Sequence, residues 1–143
     1  MQQADVIILG GGLVGLALAA ALDGSGLSSI IVDPADPEQR TTAAFDGRTT
    51  AVSSSSMRML EATGVLTHLP EAGSPIRAIQ VADGLEPGGL TFETEDDEPL
   101  GVMHENRHLR AALRARAEAG ANVTLLWKSS HTTVERDAQG VRV

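Results

Sequence analysis

The residues best placed to do chemistry are glycines. Gly10-Gly11-Gly12-Leu13-Val14-Gly15 fits the spacing G-x-G-x-x-G, and Asp33 follows 18 positions after Gly15. This pattern suits an adenine dinucleotide. Gly10 permits a tight turn, and Gly12 lets a pyrophosphate approach the backbone because it has no Cβ. Gly15 lets a helix pack closely on a strand. Leu13 and Val14 open that helix, whose first N–H groups and positive dipole end face the phosphates. The Asp33 carboxylate can accept hydrogen bonds from the adenosine ribose hydroxyls and would repel a 2′-phosphate. FAD or NAD is therefore favoured over NADP, and the motif alone does not choose between them.

Such a loop works only in a βαβ setting, and the flanking sequence supplies one. Asp5–Leu9 is a β-branched run that reads as a buried parallel strand. Leu13–Leu22 reads as a helix apolar all round, and Gly24 and Gly26 stop it. Ser28–Asp33 reads as the second strand, with Asp33 at its end. Pro34–Arg48 reads as an irregular polar loop. A helix follows to about Thr63, capped by Ser53 or Ser54 and stopped by Gly64. Ile76–Asp83 and Leu90–Thr94 read as partner strands around a Gly/Pro turn, and Leu100–His104 as another strand. Asn106 is expected to cap a helix to about Ala119 that buries Leu109, Ala112, Leu113 and Ala117. Asn122–Trp127 reads as a strand, and the residues from Thr132 onward as a hairpin.

Other motifs favour plainer readings. His104-Glu105-Asn106-Arg107-His108 spells H-E-x-x-H, but a zinc site needs both histidines on one helix face. Pro99, Gly101 and Val102 keep His104 on an extended segment. A metallohydrolase using His104 and His108 is the weakest of the readings. Ser53–Ser56 lacks the G-x-S-x-G setting of a nucleophile and reads as helix capping. The acids of Glu93–Glu98 read as a solvated hairpin tip, and His68 and His131 as solvated.

Composition narrows the classes further. Eleven Lys+Arg against nineteen Asp+Glu, a net charge of −8, argue against a nucleic-acid partner. The absence of cysteine excludes disulfides and thiolate chemistry. Val6–Leu22 is nearly all apolar or glycine, but no basic residue precedes it and glycines interrupt it. It reads as neither a signal peptide nor a membrane span. A cytoplasmic protein is expected, and the sequon Asn122-Val123-Thr124 reads as strand. At 143 residues the chain has the length of one domain.

Three segments together carry a family resemblance. They are Asp5–Leu22, Asp46–Val65 (D-G-R-T-T-A-V-S-S-S-S-M-R-M-L-E-A-T-G-V) and Pro99–Leu113 (P-L-G-V-M-H-E-N-R-H-L-R-A-A-L). In this order and spacing the chain resembles the N-terminal part of class A FAD-dependent aromatic hydroxylases. Within these it is most similar to the ubiquinone-biosynthesis (2-polyprenylphenol) hydroxylases. The resemblance implies FAD as cofactor, with NAD(P)H or another reductant as electron donor. It implies that Arg48, in the D-x-R segment, and Arg107, opening the later helix, reach the cofactor. A guanidinium suits pyrophosphate or ribityl oxygens.

The fold class expected is α/β. A Rossmann-like FAD-binding βαβ core with parallel strands is joined to the start of an antiparallel substrate-side sheet, in an incomplete fold. Residues 1–75 and 105–143 would belong to the FAD-binding part and 76–104 to the substrate side. The resemblance further implies hydroxylation of a small phenolic ring, with or without a polyprenyl tail, by O2 through a flavin hydroperoxide. A polyprenylated substrate would bring the parent protein to a membrane surface as a peripheral partner. The family continues with a G-D motif and further substrate-sheet strands that these residues lack. The chain therefore reads as an N-terminal fragment, inactive alone. The rival reading is a non-catalytic Rossmann module that binds NAD or an ADP-containing ligand.

Overall fold

The computed structural model describes residues 2–38, 47–84, 88–94, 97–130 and 133–143. Most of the 34–48 loop, parts of the acidic run and His131 lie outside them.

The first half of the fold follows the expected βαβ order. Strand β1 (Val6–Leu9) leads through the glycine turn into helix α1 (Leu13–Gly24), and β2 (Ser29–Asp33) lies parallel to β1. Much later in the chain, β8 (Val123–Trp127) joins β2 on its other side, also parallel, giving the order β1-β2-β8. The Val/Ile/Leu-rich stretches of these strands suit a sheet packed under helices.

Between β2 and β8 the chain builds a second layer. Strand β3 (Thr49–Ser53) runs into helix α2 (Ser54–Ala62), and the Ser53 Oγ accepts the Ser56 N–H. A short 3₁₀ turn (Val65–His68) follows Gly64, whose φ of +78° ends the helix. Strands β4 (Ser74–Ile76) and β3 flank β7 (Gly101–Glu105) in an antiparallel sheet, and β5 (Ala78–Ala82) pairs with β6 (Gly89–Glu93) in a hairpin. Helix α3 (Asn106–Ala119) follows β7 directly, and β9 (Glu135–Asp137) and β10 (Gly140–Arg142) form the last hairpin.

The core lies where α1 and α3 meet the parallel sheet. Leu16, Ala19 and Ala20 of α1 pack with Leu109, Ala112, Leu113 and Ala117 of α3, over Ile8 and Ile31. Alanines at this contact let the two helices approach closely. The four-residue stripe read from α3 is buried as expected. An ion pair across the rim ties the helices together. Arg116 donates to Asp23 Oδ2 at 2.8 Å and to the Thr63 carbonyl at 2.7 Å. The Asn122 backbone N–H, and then Arg116, hold the Asp23 carboxyl below its usual pKa.

Four local expectations need correction. Thr49–Ser53 is a strand, β3, and not simply the approach to a helix, because it takes its extended form from pairing with β7, its partners 48 to 56 residues away in sequence. The stretch Ile76–Asp83 is not one strand. Ile76 belongs to β4 beside Gly101, while the chain from Ala78 pairs with β6. Asn106 is the first helical residue rather than the cap, and its Oδ1 accepts the Thr50 hydroxyl at 2.5 Å. The described acids of 93–98 are not a hairpin tip, since Glu93 ends β6, Asp97 and Glu98 come after it, and Glu98 pairs with Arg58.

Candidate functional site: the glycine loop and the ends of the parallel strands

The glycine loop leaves β1 still bonded to its neighbour, the Gly10 N–H donating to the Val32 carbonyl at 2.9 Å. Gly10 then turns with φ +112°, a conformation that L side chains rarely adopt. Gly15 sits against this turn. A Cβ at position 15 would stand 2.0 Å from the Gly10 carbonyl oxygen. At Gly12 the surroundings are the reverse, with nothing within 4 Å of where a Cβ would be. Gly12 is also the N-cap of α1, no side chain caps that turn, and its first turn carries no acidic residue. The first-turn donors that lack intrahelical partners thus lie beside a residue with no side chain and with open space where its Cβ would be.

Asp33 lies at the end of β2, 4% exposed. Its Oδ2 accepts the Gly11 N–H at 2.7 Å and its Oδ1 accepts the Ala35 N–H at 2.7 Å. The carboxylate thus joins the glycine loop to the loop after β2.

Sequence reasoning passed over two residues here. Gly11 occupies an unspecified position of the motif, yet it is buried against an indole. A Cβ on it would meet Cζ3 and Cη2 of Trp127 at 2.5 and 2.6 Å. Trp127 ends β8, in register with Asp33. A tryptophan closing an apolar strand was a visible signal, but its distance from Gly11 along the chain hid the contact.

Arg48 and Arg107 come to one end of the β3–β7 ladder. Arg48 immediately precedes β3, and its carbonyl accepts the Asn106 N–H at 3.1 Å. Arg107 is in the first turn of α3, its Nε 2.5 Å from Glu105 Oε2. Leu13 and Val14 line an open apolar groove of about 480 Å³ together with Thr50, Val52 and Leu109. The groove runs between α1 and the elements that carry the two arginines. Val14, among its lining residues, is 83% exposed.

The H-E-x-x-H histidines sit on different elements, His104 on β7 and His108 in α3. His104 is buried beneath Gly73, and its Nε2 finds no hydrogen-bond partner. Burial, and then the neighbouring His108, push its pKa down. Among the described residues no group of three His, Asp or Glu side chains could hold a metal ion. No helix there is long and apolar enough to cross a membrane.

The donors and the space at this loop suit the ADP half of FAD, and comparison with known proteins agrees. A family model described as FAD binding domain matches residues 3–143. The chain is 40% identical over 141 residues to ubiquinone hydroxylase UbiL of Rhodospirillum rubrum, covering 98% of this chain and 33% of that protein. It is 28% identical to human ubiquinone biosynthesis monooxygenase COQ6, covering 87% of this chain and 28% of that protein. Among solved structures, OxyS anhydrotetracycline hydroxylase from Streptomyces rimosus shares the fold. Its TM-score is 0.73 at 20% identity, over 98% of this chain and 27% of that one. The chain thus spans about a third or less of the length of these relatives.

Proposed function

Because this chain belongs to the FAD binding domain family, we propose that it is the dinucleotide-binding portion of a flavin-dependent monooxygenase that hydroxylates a small aromatic ring. The observation that carries the reading is the loop itself. Gly12 is open, the helix N-terminus is uncapped, and the loop is closed on Asp33. In this reading the first turn of α1, at Leu13 and Val14, meets the pyrophosphate across Gly12, with Gly10 and Gly15 shaping the turn. Asp33 receives the adenosine ribose. Arg48 and Arg107 supply charge-assisted donors from the β3–β7 end.

When bound, the flavin supplies the redox and oxygen chemistry, which no side chain here can perform. The work of this chain is to bind, orient and exclude water. Residues 1–75 and 105–143 form the cofactor side and 76–104 the start of the substrate side. The hairpin β5–β6 supports that division. Ile79, Val81, Leu90 and Phe92 pair across it, all exposed, as an apolar face that further strands could cover. The similarity to ubiquinone hydroxylases makes a phenolic ubiquinone precursor the favoured substrate, with NAD(P)H as donor and peripheral contact with a membrane surface.

Calorimetry of the purified chain with FAD and with NAD tests the cofactor. Tighter binding of FAD is expected. NAD binding without FAD binding would favour a non-catalytic nucleotide module instead. A parent protein carrying these residues should be yellow and consume NAD(P)H and oxygen in the presence of a phenol.

A further inference from the structure

The ends of the three parallel strands present a nucleotide with three stations in a row. The loop after β1 holds the open Gly12, the end of β2 holds Asp33, and the end of β8 holds Trp127. Neighbouring strands lie about 4.8 Å apart. A nucleotide with phosphates at the first station and ribose at the second must carry its base toward the third. Trp127 is there, half-buried, with its indole reaching back across β2 to touch Gly11.

The surrounding backbone is tied into one shelf. The Ser129 N–H donates to the Asp33 carbonyl at 3.1 Å and the Lys128 N–H to the Ala35 carbonyl at 3.3 Å. Lys128 Nζ lies 2.8 Å from Asp36 Oδ2. Lys128 holds φ +55°, and it is the non-glycine residue with positive φ among those described. A left-handed lysine is an uncommon conformation, and here it turns the chain sharply away just after the indole.

We propose that the Trp127 indole is the floor for the purine ring of the bound dinucleotide. This rests on the dinucleotide reading above and adds a base-contacting residue to it. An aromatic face packs on a purine whatever its exact hydrogen bonding, and one such contact changes affinity by about 10-fold or more.

The chain has one tryptophan and no tyrosine, so its ultraviolet emission reports on Trp127 alone. ADP is the probe, because a flavin would quench the indole from a distance. Saturating ADP should quench or shift the emission with the same Kd that calorimetry gives. Trp127→Ala should lose about 10-fold in ADP affinity while affinity for inorganic pyrophosphate stays unchanged, and Trp127→Phe should recover most of the loss. ADP binding with unchanged emission overturns the inference and leaves the proposed function standing. Equal loss of ADP and pyrophosphate in Trp127→Ala also overturns it, since that marks mere support of the loop. If neither ADP nor FAD binds, the proposed function falls and the inference with it.

Discussion

Asp33 holds the backbone of Gly11: its Oδ2 accepts that residue's N–H at 2.7 Å, from the end of one parallel strand to the turn leaving the next. The bond puts a single carboxylate in charge of both the loop's shape and the proposed ribose contact. Asp33→Ala should therefore weaken ADP binding strongly. Each charge-assisted bond lost contributes ~1.5–3 kcal/mol, so a drop of at least about 10-fold is expected in calorimetry. Asp33→Asn, which keeps the shape, should fall between. Unchanged affinity in both variants would remove Asp33 from the ribose site.

Gly12 and Gly15 should respond differently to the same substitution. Gly15→Ala drives a Cβ into the Gly10 carbonyl, so the helix or the turn must move. Overpacking of this kind costs about 1–3 kcal/mol in a denaturant melt. Gly12→Ala meets nothing in the protein. Its stability should stay within about 1 kcal/mol of the parent, while dinucleotide affinity drops because the new methyl stands where the pyrophosphate must approach. Equal effects on stability and binding in both variants would contradict these separate roles.

The Asp23–Arg116 pair joins α1 to α3 across 93 residues of chain. Arg116→Met removes this contact and the bond to the Thr63 carbonyl. A destabilisation of about 1–3 kcal/mol is expected from the two losses. The pair also has a pH signature. Asp23 is depressed in the folded chain, so its contribution is complete above the ordinary aspartate range and is lost as pH falls through the lowered value. Asp23→Asn should flatten the acid limb of the stability curve, which urea melts between pH 5 and about pH 3 would register.

His104 acts in a higher window. Its folded pKa is lowered by burial and by His108, so below about pH 6.5 the unfolded chain takes up a proton that the folded chain refuses. This contribution should be complete well above that value and decline as pH falls through it. His104→Leu removes the titrating group and its unpartnered Nε2, and should abolish that part of the slope. A slope unchanged in His104→Leu would assign it to other groups.

Much of this fold could be read along the chain because its signals are local. Gly10, Gly12 and Gly15 stand a few residues apart, the flanking runs are apolar at strand and helix periods, and the α3 stripe repeats with the helical turn. Backbone sterics and periodic burial determine such features without distant partners. The family resemblance extended this to FAD, since the segments at Asp46–Val65 and Pro99–Leu113 are more particular than any glycine loop.

The tertiary structure alone decided the features that depend on pairing. Thr49–Ser53 becomes a strand because β7 lies beside it, and Ile76 separates from Ala78–Ala82 because two different partners claim them. Asn106 gives its side chain to Thr50 rather than to its own helix. Gly11 was one more glycine until β8 brought Trp127 against it, and Asp33 was a suitable acid until its two oxygens closed on Gly11 and Ala35. Sequence determined which residues can turn, cap and accept. Which of them meet was left to the parallel order β1-β2-β8, formed by strands 90 residues apart whose contact no local pattern encodes.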